Sequence, residues 1–205
     1  MERPYWVPEA QLSALVGNLD ELQARHGVEL HLDFDDGHQS DHARVLPLLQ
    51  GLARRAAFFV PTDWIGTPER LSAGQIKDLA SAGMTIGSHG TDHRAWTSLS
   101  ENELSRQLRH SKRVLEQLTG MPVRLASAPF GLWSPRVASA VRDAGYERLH
   151  TCGERPSRSS CLLNHRIVVR RKDDVDAILS RKLNVLRRAV HRAKDLHDSL
   201  LVQAA

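Results

Sequence analysis

One stretch decides the fold of this chain: His31-Leu32-Asp33-Phe34-Asp35-Asp36-Gly37-His38. Residues 28–34 alternate and are rich in apolar side chains, which predicts a buried β-strand. Two adjacent carboxylates, Asp35 and Asp36, end this strand, and burying them costs several kcal/mol unless a cation or hydrogen-bond donors compensate. The stretch is therefore interpreted either as a metal site with a sharp turn at Gly37 or as an ordinary solvated Asp-Gly turn.

A second polar motif follows a later apolar run, Met84-Thr85-Ile86-Gly87-Ser88-His89-Gly90-Thr91-Asp92-His93. Its two histidines, His89 and His93, have H-x-x-x-H spacing, which puts both imidazoles on one face of a helix and can bring them to one point in a strand-to-helix turn. Two histidines and one carboxylate are a common ligand set for zinc and similar metals, with open positions for water. The chain has 11 histidines, so this spacing alone is weak evidence for a metal site. Together with the Asp-Asp-Gly motif it is much stronger evidence.

Length and composition favour one globular domain. The chain has 205 residues, a length sufficient for one domain with a full hydrophobic core. Its net charge of +4 is modest. Residues 1–6 lack the apolar core of a signal peptide, and no apolar run approaches the ~20 residues that span a bilayer. Cys152 and Cys161 fit neither a metal knuckle nor a disulfide framework. We therefore expect a cytoplasmic protein with reduced thiols, with a bridge between the two cysteines as the alternative.

Predicted strands and helices alternate along the chain. The strands are 28–34, 56–60, the run from Met84, 122–128, 146–151 and 167–169, and the helices are 8–25, 41–55, 72–82, 100–120, 134–144 and 174–200. This order predicts parallel βαβ units in a barrel or an open sheet. Both architectures place functional sites at the carboxyl ends of their strands. Asp-Asp-Gly, H-x-x-x-H and a third stretch, Pro129-Phe130-Gly131, each follow a strand and are expected on one rim.

The C-terminal part of the chain is strongly basic. Residues 165–194 carry a heavy excess of Lys and Arg, and 174–200 has helical periodicity. A basic amphipathic helix either packs on the fold with a solvated charged face or contacts an anionic membrane surface or a partner. Little aromatic interleaving accompanies these charges, so nucleic-acid binding is not expected.

The motifs together resemble those of a known enzyme family. They are Asp33-Phe34-Asp35-Asp36-Gly37, the loop Ile86 to His93, and Ala128-Pro129-Phe130-Gly131. In this order, within residues 28–151, they resemble the motifs of polysaccharide deacetylases of the NodB-homology group, carbohydrate esterase family 4. The third motif is similar to the Pro-Phe-Gly version of shorter members.

The resemblance implies an α/β fold, a distorted (β/α) barrel. On this basis we divide the chain into three segments. Residues 1–27 would form an N-terminal helix packed on the barrel, 28–172 the deacetylase-like barrel, and 173–205 the basic amphipathic helix.

The resemblance also implies a hydrolase with one divalent metal ion, commonly zinc. Asp36, His89 and His93 would be its ligands, and Asp35 would be the catalytic base. A metal-activated water would attack the N-acetyl group of an amino sugar in a polysaccharide, oligosaccharide or glycolipid precursor. The backbone N–H of Phe130 would stabilise the oxyanion, and acetate and a free amine would be released.

The chain departs from the family pattern around the base. An arginine of the family's third motif, which orients the base, is replaced by Ser127 at the corresponding position. Arg124 lies close in sequence, and Arg166 resembles an arginine that recurs before the last strand of shorter members. Arg166 would anchor an acidic group or pair with a core carboxylate. Asp33 replaces the usual threonine and is interpreted as a partner of a histidine ligand or as a surface residue.

A general acid is not recognisable in the sequence. His150 and His165 are candidates for protonating the leaving amine, and each is also compatible with a structural role. Two other functions stay open: hydrolysis of a non-sugar amide at the same metal site, and a non-catalytic carbohydrate-binding relative.

Overall fold

The structure is a computed structural model that describes residues 7–152, 162–171 and 173–181. It divides into two compact units, one formed by His31–Ile167 and the other by Met1–Leu30 with Val168–Ala205. The first of these, the larger unit, contains the whole β-sheet and the predicted motifs. Among the described residues, no helix has the length and apolar character needed to cross a membrane.

Six parallel strands form the sheet of the larger unit, and they lie side by side in sequence order. They are β1 (Asp33–Asp35), β2 (Ala57–Val60), β3 (Thr85–Ser88), β4 (Leu125–Ser127), β5 (Arg148–Cys152) and β6 (Leu163–Arg166). A strand order that never reverses is typical of a singly wound barrel, whereas doubly wound sheets reverse direction at a switch point. Among the described residues β1 and β6 are the edge strands, so the sheet is open, and the hydrogen bond from Arg166 of β6 to Asp35 of β1 shows that it curves into a half-barrel. The predicted α/β barrel class is confirmed in this form.

Helices connect the strands along the chain. They are α1 (Glu9–Gly17), α2 (Leu19–His26), α3 (Leu46–Gly51), α4 (Ala73–Ser81), α5 (Glu101–Thr119) and α6 (Pro135–Asp143), and a π-helical turn, Asp41–Val45, precedes α3. The long α5 begins with a capping box in which the Ser100 side chain accepts from the Glu103 N–H, as its sequence predicts. It ends at Gly120, whose left-handed conformation is typical of a glycine helix stop.

The two faces of the sheet differ in chemistry. Phe34 of β1 stacks on Phe58 of β2, with ring centroids 5.1 Å apart, and both belong to the outer, apolar face. Their strand neighbours Asp35 and Phe59 point to the inner face because side chains alternate along a strand. The inner face also needs a glycine, since a Cβ at Gly87 would lie 2.4 Å from the Phe59 ring. The half-barrel therefore encloses polar groups around one large aromatic ring.

Several element boundaries differ from the predictions. The strand predicted at 28–34 is shortened to Asp33–Asp35. The helix predicted at 8–25 is two helices interrupted at Asn18, and the helix predicted at 41–55 begins as a π-helical turn and ends at Gly51. The last strand was wrongly predicted at 167–169 and lies at Leu163–Arg166. The apolar Ile-Val-Val run has the higher strand propensity, but the residues before it pair with β5, and two of them, Asn164 and Arg166, direct polar side chains to the half-barrel interior.

In the smaller unit, residues 175–181 are helical. Asp176 in this segment pairs with Arg25 at 2.9 Å and with His26 at 2.7 Å, both at the end of α2. The rest of the predicted basic helix, from 182 onward, and Cys161 lie outside the described residues. The three-segment division of the chain stays a prediction.

Candidate metal centre

The turn after β1 carries Asp36 in an unusual backbone conformation. Its φ is +73°, in the left-handed region that few non-glycine residues adopt, and Gly37 follows with a φ of +57°. This turn interrupts the alternation of the strand. As a result, the Asp36 carboxylate faces the loop after β3, while Asp35 stays on the inner face of the sheet.

Asp36, His89 and His93 converge at the carboxyl end of the half-barrel. Each offers one ligand atom, and these three atoms lie within 4.8 Å of one another. The Asp36 Oδ1 atom is 3.5 Å from His89 Nε2 and 3.2 Å from His93 Nε2. One carboxylate and two imidazoles suit a divalent ion of the zinc type, so the residues fit the metal that the resemblance implies. The structure thus brings together the three ligands named from the sequence.

His89 is held so that one ring nitrogen faces the cluster. Its side chain is buried, and its Nδ1 atom lies 2.7 Å from the carbonyl oxygen of Ser127. A carbonyl can only accept, so Nδ1 carries the proton. The other ring nitrogen, Nε2, faces Asp36. A second hydrogen bond of this kind is the usual way to fix the orientation and tautomer of a ligand histidine.

His93 lies between two aromatic rings. Its own φ is +60°, again in the left-handed region. The Trp64 ring centroid is 5.0 Å from the His93 ring, and the Phe130 centroid is 4.7 Å away, edge to face. These contacts restrict the rotation of the imidazole. Trp64 was not singled out from the sequence, although its position shortly after β2 places it on the rim where sites are expected.

Imidazoles surround the Asp36 carboxylate. Burial favours its protonated form, but hydrogen bonds from His38, His89 and His93 outweigh burial and hold the pKa of Asp36 well below its usual range. Asp36 is therefore ionised at neutral pH.

Arg166 of β6 binds the other carboxylate, Asp35. The guanidinium donates two hydrogen bonds, Nη1 to Oδ1 at 2.8 Å and Nη2 to Oδ2 at 2.7 Å. It also donates to Ser127 Oγ at 2.7 Å, and that hydroxyl lies 3.3 Å from Asp35 Oδ2. Burial raises the pKa of Asp35, but the Arg166 charge and hydrogen bonds outweigh it and hold this pKa below the usual range.

These contacts answer a question that the sequence left open. Arg166 pairs with a core carboxylate, which was one of the two roles considered for it. Arg124 instead pairs with Glu147 at an exposed position. Ser127, at the position where the family often has an arginine, accepts a hydrogen bond from the arginine of β6.

Asp33 and His150 form a second pair on the inner face. Asp33 Oδ2 is 2.6 Å from His150 Nδ1 and 3.6 Å from Arg166 Nη1. His150 is buried, with its ring 4.8 Å from Phe59. The Asp33 side chain is only 11% exposed, and the histidine it contacts is His150. The other acid candidate, His165, lies on the opposite face of β6 and bonds to Thr151 Oγ1 at 2.8 Å.

The third motif forms a short helical turn after β4. Phe130 has a φ of +60°, and the residue is 64% exposed although its ring contacts His93 edge to face. Gly131 follows with a φ of +68°, and a Cβ there would lie 2.4 Å from Cys152 Sγ. Only glycine fits this approach. The motif thus places the Phe130 residue beside the histidine pair.

Polar residues of α5 support the histidine loop. Gln107 is buried and donates to Asp92 Oδ1 at 2.7 Å, while its Oε1 accepts from the Thr91 N–H at 3.4 Å. One turn further along, Ser111 Oγ lies 2.7 Å from Ser88 Oγ. Sequence patterning missed these two helix residues because polar positions on an amphipathic helix ordinarily face solvent.

A comparison with known families identifies the chain. The sequence model of the family described as polysaccharide deacetylase matches residues 24–149. The chain belongs to the polysaccharide deacetylase family. The protein YxkH of Bacillus subtilis (strain 168) is 25% identical over 116 residues, which are 57% of this chain and 42% of YxkH. The chain spans less than half the length of the curated relatives that it matches.

Solved structures of the polysaccharide deacetylase fold are similar over more of the chain. The Streptococcus pyogenes deacetylase PplD, solved in complex with acetate, has a TM-score of 0.77 at 17% identity, with 89% of each chain covered. BA3943 of Bacillus anthracis, described as a CE4 family pseudoenzyme, has a TM-score of 0.53 at 22% identity, with 58% of this chain and 41% of BA3943 covered. At these identities the likeness establishes the fold alone.

Proposed function

We propose that the chain is a metal-dependent hydrolase that removes the N-acetyl group from an amino sugar in a polysaccharide, oligosaccharide or glycolipid precursor. One observation carries the proposal: the Asp36, His89 and His93 ligand atoms converge beside a second carboxylate, Asp35, that an arginine keeps ionised. Membership of the polysaccharide deacetylase family supports the choice of an acetylated sugar as substrate.

The three converging side chains would hold a divalent ion, and their donor set favours zinc. When bound, such an ion polarises the substrate carbonyl and lowers the pKa of water. His89 suits this role because its Nδ1 proton is engaged by the Ser127 carbonyl, which leaves Nε2 for the ion. Trp64 and Phe130 restrict the ring of His93, so little side-chain freedom is lost when it binds.

Asp35 is proposed to take the proton of the attacking water. It can do so because it is ionised and because the two hydrogen bonds from Arg166 fix the plane of its carboxylate. Each carboxylate oxygen accepts more than one hydrogen bond, so the pair with Arg166 leaves acceptor capacity for water. The proton held on Asp35 is then passed to the leaving nitrogen, which releases acetate and a free amine.

The backbone N–H of Phe130 is the proposed donor to the oxyanion. Its left-handed conformation and the glycine that follows turn the chain sharply at the rim, beside His93. Fixed backbone donors stabilise developing negative charge without reorganisation during the reaction.

The experiment compares wild type with Asp35→Asn and Asp36→Ala, with Asp143→Asn as a matched control on an exposed side chain at the end of α6. Metal content and acetate release from a panel of acetamido-sugars are measured on the same samples. We expect about one ion in wild type, Asp35→Asn and the control, none in Asp36→Ala, and acetate only from wild type and the control.

Other outcomes select the alternatives. Metal binding with release only from small non-sugar amides would indicate a different amidase. Metal binding without turnover on any substrate would indicate a non-catalytic, carbohydrate-binding relative. This outcome is tested because the similar structure BA3943 is described as a pseudoenzyme. Wild type that binds no divalent ion after reconstitution with zinc, cobalt or nickel would contradict the proposal.

A further inference from the structure

The loop after β2 lies against the turn that carries Asp36. The Leu71 N–H donates to the Gly37 carbonyl at 2.9 Å, and the Gln39 N–H donates to the Glu69 carbonyl at 2.9 Å. Between these bonds, residues 38 and 70 form an antiparallel bridge. The backbone of Arg70 is therefore fixed relative to the Asp36 turn, which fixes the position of its Cα atom.

The Arg70 guanidinium is linked to two of the three proposed metal ligands. Its Nη1 donates to the backbone carbonyl of Asp36 at 2.9 Å. Its Cζ lies 4.1 Å from the centroid of the Trp64 ring, and that ring lies 5.0 Å from His93. One side chain thus contacts Asp36 directly and His93 through a single aromatic ring.

Asp36 needs such a contact. A non-glycine residue in the left-handed region, here with a φ of +73°, is disfavoured and persists only where its surroundings enforce it. The hydrogen bond from Arg70 fixes the orientation of the Asp36 peptide group and therefore the direction in which the carboxylate leaves the chain. His93 has the same kind of backbone, with a φ of +60°, and Trp64 packs on its ring.

The chemistry of the contact favours positioning over charge compensation. Arg70 donates to the Asp36 carbonyl, so both carboxylate oxygens remain for the histidines and for an ion. A planar guanidinium can stack on an indole and donate in its own plane at the same time. A lysine ammonium cannot satisfy both contacts with this geometry.

We propose that Arg70 is a positioning residue of the metal centre: it holds the Asp36 backbone in its left-handed conformation and, through Trp64, fixes the ring of His93. The inference rests on the proposed metal centre, and it assigns to the loop after β2 a role in setting metal affinity.

The test measures zinc affinity by competition with a chromogenic chelator for wild type, Arg70→Met and Arg70→Lys. Arg124→Met is the matched control, since Arg124 pairs with Glu147 at an exposed position away from the cluster. Partners that support ligands typically change metal affinity by about 10- to 100-fold. We expect weakening in this range for Arg70→Met and Arg70→Lys, and wild-type affinity for the control. Far-ultraviolet circular dichroism checks folding, and Arg70→Lys keeps the test valid if Arg70→Met does not fold.

The visible spectrum of the cobalt-substituted protein gives a second readout, because it reports coordination geometry and does not depend on turnover. We expect its band positions or intensities to change in both Arg70 variants and to match wild type in Arg124→Met. Wild-type affinity and an unchanged cobalt spectrum in a folded Arg70 variant would overturn the inference. Absence of metal binding by wild type would instead contradict the proposed function.

Discussion

The two adjacent carboxylates of the site, Asp35 and Asp36, have different kinds of partner. Asp35 is bound by Arg166, whose charge is permanent, through two short hydrogen bonds. Asp36 is surrounded by imidazoles, which can be neutral at physiological pH. The chain therefore carries its own cation for the proposed base, while in the proposed centre a bound ion supplies the cation for Asp36. Asp35 is therefore positioned by a partner within the protein, whereas Asp36 is available to bind a metal ion.

The largest expected effect is the loss of zinc affinity when Asp36 is replaced. Asp36→Asn keeps the shape of the side chain but removes its charge, so zinc affinity should fall by at least about a thousand-fold, more than the loss of a supporting partner causes. Asp35→Asn should leave zinc affinity within about tenfold of wild type, because Asp35 interacts chiefly with Arg166. Isothermal titration with zinc measures both variants, and equal losses in the two would contradict the division of roles.

The next effect concerns Arg166 and the stability of the metal-free protein. Arg166→Met removes two charge-assisted hydrogen bonds from Asp35, whose side chain is 32% exposed, and we expect the free energy of unfolding to fall by about 2 kcal/mol, between the values for exposed and buried ion pairs. Arg124→Met, which breaks an exposed pair, should cost no more than about 1 kcal/mol. Urea unfolding in the presence of a chelator measures both.

The same variant has a defined pH dependence. The pKa of Asp35 lies below its ordinary value of 3.8 in the folded state, so its pair stabilises the protein above that value and loses its effect as the pH falls below it. The difference between wild type and Arg166→Met should therefore be full at neutral pH and shrink in acid. A difference that grows in acid would contradict this assignment.

The sequence predicted most of the fold and the convergence of three side chains that could hold a metal ion, for a physical reason. Strands of parallel sheets end at one rim, so charged residues that directly follow apolar runs are expected to meet there. Asp36, His89 and His93 could therefore be named together although they lie on two separate loops.

What the sequence missed depends on long-range pairing. Arg166 lies 131 residues after Asp35, and no local pattern links the two. The strand that carries Arg166 is polar, and alternate residues, Asn164 and Arg166, face the half-barrel interior, so hydrophobic patterning favours the apolar residues after it. Asp33 and His150 were both named, but their pairing across 117 residues was not. Such contacts depend on the register of strands across the whole sheet, which a local hydrophobic pattern does not specify.

A third carboxylate, Asp41, sharpens the comparison because it has neither kind of partner. It is 5% exposed, and its Oδ2 has no hydrogen-bond partner within the described part of the chain. Burial, helped by the charges of Asp36 and Asp35, raises the pKa of Asp41 to about 8. The folded state then holds a proton that the unfolded chain releases, so stability should fall as the pH rises from about 4 toward 8.

Asp41→Asn should remove this slope. In metal-free protein we expect it to raise the free energy of unfolding by about 2 kcal/mol at pH 8 and by little at pH 4. Denaturant unfolding at a series of pH values measures the gain. A loss of stability at pH 8 would mean that Asp41 makes a favourable ionic contact.

The smallest expected effect is a loss of stability at the start of α5, which should leave both Asp35 and Asp36 unaffected. Ser100→Ala removes the capping box of α5, whose serine accepts from the Glu103 N–H, and should cost about 1 kcal/mol of stability. Zinc affinity should stay at the wild-type value, since the cap lies at the helix terminus and the histidine loop is held by Gln107 further along. Chemical unfolding and zinc titration on the same samples separate the two.

The sequential order of the strands has a consequence for folding during synthesis on the ribosome. Chains emerge at about 5–20 residues per second, so the strand with Asp35 leaves the ribosome roughly ten seconds before the strand with Arg166. During that interval the growing sheet displays β5 as a temporary edge, because β6 is its last neighbour to arrive. Nascent chains halted before Arg166 would carry an uncompensated carboxylate in an unfinished barrel, and completion of β6 closes the polar interior and covers that edge in one step.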